Sequence, residues 1–247
     1  MKIGSNKLMQ NKTALVTGAS SGIGEATAER LARAGYKVYG TSRRAAKLSQ
    51  RSFELLALDV TSDESVEATV REVLRLEGRI DLLVNNAGVG ARGNYLTVEP
   101  EVIEQVMRVN YLGSVWATLA FLPGLGQGSH VVNVVSVAGT VAGGPYSASK
   151  HAQLAFSRSI TVELAPRGIS VHTVNPGFVE TEGFPQRGRL GLLSRLVVDP
   201  PFVVRRLLEA VDKDKPEIVV PRWYRVFAWG QALAPGAIGR IRSRRRR

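Results

Sequence analysis

Tyr146 and Lys150 stand four residues apart, so a helix through them carries a phenol and an ammonium on one face. A free phenol has a pKa of about 10 and exchanges few protons at neutral pH. A nearby cation favours the phenolate, and lowering the pKa by about 3 units takes roughly 4 kcal/mol of differential interaction. In a desolvated cleft such a pair can do acid–base work on an oxygen. Alone, the same spacing also describes plain packing between helix neighbours. Ser136 closes a β-branched run, at the strand end where an α/β sheet presents its ligand crevice. A serine there also commonly caps a turn.

A second chemistry is written in Thr17-Gly18-Ala19-Ser20-Ser21-Gly22-Ile23-Gly24, directly after the apolar run at 13–17. Glycines let a backbone turn tightly against a pyrophosphate, and the helix that follows offers free N–H groups and a positive dipole end. The placement between strand and helix points to a nucleotide. The remaining composition narrows the field. With no Cys there is no disulfide, thiolate zinc site, iron–sulfur cluster or cysteine nucleophile. His130, His151 and His172 lack ligand spacing, so no metal is expected.

These residues need a scaffold, and the chain alternates short apolar runs with helical patterns. Strands are expected at 13–17, 37–41, 54–58, 81–85, 130–135, 169–174 and 217–220, and helices at 25–34, 63–77, 101–122, 146–165 and 201–211. Continuously apolar strands such as LLVN and VVNVV suit a parallel sheet covered on both faces. Alternation implies right-handed βαβ units, hence one α/β domain with a doubly wound sheet. A length of 247 residues, 44% hydrophobic and 22% charged, supports one sizeable core.

Taken in order, the motifs resemble the short-chain dehydrogenase/reductase family. They are T-G-x-x-x-G-x-G, then Asn85-Asn86-Ala87-Gly88, Ser136-x-Ala138-Gly139, Tyr146-x-x-x-Lys150 and Asn175-Pro176-Gly177. The likeness covers about residues 12–220 and implies a Rossmann-type sheet of seven parallel strands in order 3-2-1-4-5-6-7. It implies that Tyr146 is the proton donor in carbonyl reduction and the base in alcohol oxidation. Lys150 would serve both the phenol and the cofactor ribose, Ser136 would hold the substrate oxygen, and Asn110 would belong to a proton relay. Gly18, Ser20, Ser21, Gly22, Ile23 and Gly24 would cradle the diphosphate. Asp59 and Val60 would touch the adenine, and Asn86, Ala87 and Gly88 would line the cofactor cleft. Pro176, Gly177, Val179 and Thr181 would hold the nicotinamide carboxamide. Only ten positions separate Ser136 from Tyr146, fewer than the family usually has, which leaves the substrate side of the site open.

The cofactor is expected to be NADP(H). The second strand ends in Thr41-Ser42-Arg43-Arg44 with no acid to take a ribose 2′-hydroxyl, and Arg43, backed by Arg44, suits a 2′-phosphate. The resemblance also implies a homodimer or homotetramer built through the helices at 101–122 and 146–165. Residues 180–200 are expected to form a substrate lid, its leucines giving it an apolar inner face.

Two ends lie outside this frame. Residues 1–11 form an extension with charge but no apolar stretch of the secretory kind, so a cytoplasmic protein is expected. Residues 221–247 combine aromatics with arginines, and six arginines in the last eight residues supply half of the net +12. If helical from Arg222, that segment places Trp223, Val226, Phe227, Trp229 and Leu233 on one arc, with Pro235 and Gly236 breaking it before the arginines. Packing on the core, peripheral contact with an anionic membrane, or nucleic acid as the least favoured partner are the readings it allows. The leading function is NADP(H)-dependent interconversion of a carbonyl and a secondary alcohol on an apolar substrate. The alternative is a non-catalytic NADP(H)-binding sensor or scaffold, which would have no need of an activated phenol.

Overall fold

In the computed structural model, the described residues are 12–45, 51–91, 93–182, 187–189 and 191–244. Seven strands run in chain order as β1 (Thr13–Val16), β2 (Lys37–Ser42), β3 (Glu54–Ala57), β4 (Leu82–Asn85), β5 (His130–Val134), β6 (Ser170–Pro176) and β7 (Glu217–Val220). All pair in parallel, in the order β3-β2-β1-β4-β5-β6-β7. This is the doubly wound Rossmann-type sheet the alternation predicts.

Side chains alternate across each strand, so both faces need cover. Ala14, Val16, Val84, Val132 and Val174 meet Ala28 and Leu31 of α1 (Gly22–Arg33) on one face. On the other, Leu15, Leu83, Val131 and Val171 meet Val73 of α2 (Asp63–Glu77). The helix expected over 101–122 is interrupted. It runs as α3 (Pro100–Met107), a π turn at Arg108–Leu112, and α4 (Gly113–Phe121). A buried asparagine, Asn110, sits on that turn. α5 (Pro145–Leu164) and α6 (Pro200–Asp212) lie within a residue of their expected bounds.

Past β7, a short 3₁₀ turn, Arg222–Tyr224, leads into α7 (Arg225–Leu233) and then α8 (Pro235–Arg244). The expected break does fall before Pro235, at Ala234. Pro235 then opens a new helix instead of ending the structure, since its missing N–H costs nothing at a first helical position. α7 itself has no buried residue, while Tyr224 just before it is buried against the fold, so 223–233 packs on the core through Tyr224 and leaves most of α7 at the surface. Of the expected lid, 3₁₀ turns at Arg187–Arg189 and Gly191–Leu196 are described, while 183–186 and 190 lie outside the described residues, as do 1–11 and 245–247.

Candidate active site

A cleft of about 1210 Å³ opens where the strand order reverses, along the carboxyl ends of the strands. Its first wall is the turn after β1. Gly18 and Gly22 have φ values of 68° and 62°, which only glycine takes without strain. A Cβ on Gly24 would lie 2.3 Å from the Gly18 carbonyl oxygen, so the helix start can approach the turn only because it is bare. Asn86 Nδ2 donates to the carbonyls of Thr17 (3.0 Å) and Gly18 (3.1 Å), and Asn86 and Ala87 N–H both donate to Thr17 Oγ1. Thus the β4 end braces the glycine turn from behind. Ser21 at the N-cap of α1 makes no side-chain bond to the helix, so its first-turn N–H groups face the cleft uncapped.

Ser20, Ile23, Arg43, Arg44, Val60 and Gly88 all line this cleft. Asp59 lines it too, but one carboxylate oxygen is committed to Thr61 N–H (2.9 Å) and Thr61 Oγ1 (2.7 Å), which fixes the turn into α2. At the far end, Pro176, Gly177, Val179 and Thr181 line the cleft after β6. Thr181 reaches back to the glycine turn, since a Cβ on Gly22 would sit 3.0 Å from its methyl group. A Cβ on Gly177 would collide with the Tyr224 ring at 2.1 Å, and Tyr224 Oη accepts from Phe178 N–H. The segment after β7 therefore folds over the cleft.

Tyr146 and Lys150 share a face of α5 inside this cleft, the ammonium 5.9 Å from the phenol ring centre. Ser136 bonds the Tyr146 hydroxyl, accepts from Ala138 N–H (3.1 Å) and donates to the Pro176 carbonyl (3.4 Å). A 3₁₀ turn at Val137–Thr140 takes up the chain between them, so the shortened loop still delivers the serine to the tyrosine. Burial pushes the Tyr146 phenol above its usual value, and the Ser136 bond opposes this. The lowering expected from the lysine is thus not what the protein's own groups produce. Burial also pulls Lys150 down to about 7.

Asn110 sits on the π turn, fully buried. Its Oδ1 accepts from Val89 N–H (2.8 Å), and its Nδ2 donates to the Val89 carbonyl (3.0 Å) and Ser149 Oγ (3.0 Å). The amide thus clamps the loop beyond Gly88 with both of its N–H donors engaged. Two residues that sequence reasoning missed stand behind the lysine. Lys150 Nζ donates to Gln153 Oε1 (2.7 Å) and the Val134 carbonyl (3.1 Å), and Gln153 Nε2 donates to Ser114 Oγ (2.8 Å). A polar residue on the inner face of α5 is the only signal the sequence offers for Gln153.

The histidines meet elsewhere. His130 Nδ1 and His172 Nε2 are 3.0 Å apart at the amino ends of β5 and β6, with Asp214 Oδ1 4.0 Å from His172. Adjacent strands bring together what linear spacing kept apart, and His172 Nδ1 is tied to the Lys215 carbonyl.

A dinucleotide crevice with a tyrosine–lysine pair at its centre defines a class of oxidoreductase, and the comparisons give the family. Residues 12–189 match the short chain dehydrogenase family, and the chain belongs to it. A dehydrogenase/reductase SDR family protein 7-like protein of Drosophila melanogaster is 33% identical over 239 residues, covering 86% of this chain and 73% of that one. The 3-ketodihydrosphingosine reductase of Bacteroides thetaiotaomicron is 33% identical over 219 residues, covering 87% of this chain and 81% of its own. A short chain dehydrogenase from Burkholderia cenocepacia, solved in complex with NADP, superposes with a TM-score of 0.79 at 29% identity, covering 93% and 96% of the two chains. The family binds a nicotinamide cofactor and acts on small carbonyl or alcohol substrates, and the bare glycine turn with its uncapped helix start fits that group.

Proposed function

We propose that the protein is an NADP(H)-dependent oxidoreductase that interconverts a carbonyl and a secondary alcohol on an apolar substrate. The observation that carries this is the trio Ser136–Tyr146–Lys150, the lysine buried and the other two part-buried, joined by the Ser136–Tyr146 bond and set in the cleft below the glycine turn. Arg43 and Arg44 at the end of β2 favour the 2′-phosphate form, with no acid between Lys37 and Ala45 to favour the other. The Burkholderia relative's bound NADP points the same way. Val137, Val141, Phe178, Leu196 and Phe227 make the substrate side apolar.

When bound in this cleft, reduced nicotinamide would supply the hydride for the carbonyl carbon. Ser136 Oγ and Tyr146 Oη hold the carbonyl oxygen, and the phenol gives it the proton that completes the alcohol. Because burial keeps the phenol protonated, Tyr146 starts in the form that reduction needs. The Lys150 ammonium then stabilises the phenolate left behind until solvent returns the proton. Exposed Leu119 on α4 and Val162 on α5 support pairing of copies through these helices. The test is consumption of NADPH by the purified protein with a soluble vicinal diketone. Diketone-dependent oxidation is expected, and its absence overturns the reading.

A further inference from the structure

Five large apolar side chains, Trp223, Val226, Phe227, Trp229 and Leu233, are exposed within one short stretch after β7. They fall into two groups. Trp223, Val226 and Phe227 line the cleft while remaining 39%, 65% and 54% exposed, so they form its rim. Trp229 and Leu233 line no part of it, and with Val226 they follow one side of α7 at helical spacing, 62% and 86% exposed. A stripe of this kind next to an open cleft marks an interaction surface.

Charge identifies what covers it. After Glu217 the chain has no Asp or Glu, while Arg222, Arg225, Arg240, Arg242 and the run 244–247 add eight positive charges. α8, which packs on α7, carries Arg240, Arg242 and Arg244 in its sequence. Two copies meeting through this face would set eight arginines against eight, which argues against self-pairing. An anionic bilayer answers both features, taking aromatic and aliphatic side chains at its headgroup boundary and arginines at its phosphates. Among the described residues no helix is long and apolar enough to cross a membrane, so the contact is peripheral.

We infer that α7 and α8 dock the protein on an anionic lipid surface, with the rim of the cleft beside it. The substrate class that follows, resting on the carbonyl-reductase reading, is a ketone on an alkyl chain that partitions into the bilayer. Such a substrate passes Val226 and Phe227 to reach Tyr146 without crossing water.

The test uses the full chain with vesicles of phosphatidylcholine alone and of phosphatidylcholine mixed with phosphatidylglycerol. Binding is expected only to the mixed vesicles, falling about tenfold between low and high salt. The double variant Trp229→Glu/Leu233→Glu should lose about tenfold in binding while reducing a soluble diketone at the parent rate. It should lose its advantage on a long-chain ketone presented in mixed vesicles. Equal binding to both vesicle types, or parent-like binding by the variant, overturns the inference. So does a change in self-association on sedimentation in place of vesicle binding, or displacement of the vesicles by a single-stranded oligonucleotide. Failure to reduce the soluble diketone would instead sink the reductase reading, with vesicle binding judged separately.

Discussion

Lys150 Nζ lies 2.7 Å from Oε1 of Gln153, almost one turn further along α5, and both side chains are buried. Gln153 is itself held by Ser114, whose Oγ donates to the Asn110 carbonyl at 3.1 Å. The lysine is thus moored through two side chains to the π turn. A buried ammonium is costly unless its protons find acceptors, and the amide supplies one beside the Val134 carbonyl.

Gln153 is therefore expected to set where Lys150 titrates. Gln153→Leu should move the pH at which NADPH affinity falls, on loss of the lysine charge, to lower values. Gln153→Glu should move it higher, because a carboxylate favours the ammonium. Binding titrations across pH check this, and identical midpoints in the two variants would leave Gln153 as packing alone.

Lys150 also leaves a mark on stability. Its folded pKa is about 7 against an ordinary 10.5, so between these values the unfolded chain holds a proton that the folded chain lacks. Stability contributed by this group rises with pH across that window, and below it the full penalty of burying the charge applies. The parent should therefore gain stability relative to Lys150→Met between about pH 7 and pH 10, read from denaturant midpoints. A constant gap between the two proteins contradicts a buried, shifted lysine.

For the chemistry, Tyr146→Phe should abolish diketone reduction with NADPH affinity nearly unchanged. Ser136→Ala should lower kcat by about 100-fold, since it removes the partner of the phenol and a holder of the substrate oxygen. A Tyr146→Phe protein with most of the parent kcat would show the proton donor to be misassigned.

Cofactor choice rests on the end of β2. NADPH should bind at least about tenfold tighter than NADH, a ratio that needs only about 1.4 kcal/mol. Arg43→Ala should remove most of it. Equal Kd values for the two cofactors in the parent would exclude a 2′-phosphate contact at Arg43.

Much of this architecture is legible in local pattern, for reasons the structure makes plain. Strands such as β4 and β5 read as uninterrupted apolar runs because both sheet faces are covered, and the glycine turn announces itself because no other residue fits there. The π turn is invisible, because apolar periodicity continues through Arg108–Leu112 and the partner of its asparagine is Val89, distant in sequence. Gln153 is hidden for the same reason, since its partners Lys150 and Ser114 meet only once α4 and α5 pack. In α7, periodicity gives the helix but not its exposure, which depends on what the rest of the fold leaves uncovered.

The Asn110 amide satisfies both the N–H and the carbonyl of part-buried Val89 and also reaches buried Ser149. Gly88 lies against it, for a Cβ there would sit 3.2 Å from Asn110 Oδ1 and 3.9 Å from Lys150 Nζ. The floor of the cleft is thus fixed by this amide. Asn110→Ala strands the part-buried Val89 peptide, and with a buried unpaired group costing about 1–3 kcal/mol, stability should fall by roughly 1–3 kcal/mol. Asn110→Asp keeps the acceptor but loses both donated bonds and buries a carboxyl, so it should rescue little. NADPH affinity should drop in both variants as the loop at 88–89 loosens. Denaturant unfolding and NADPH titration together decide the matter. A loss of kcat at unchanged stability and unchanged NADPH affinity would put Asn110 in the proton path and not in the scaffold.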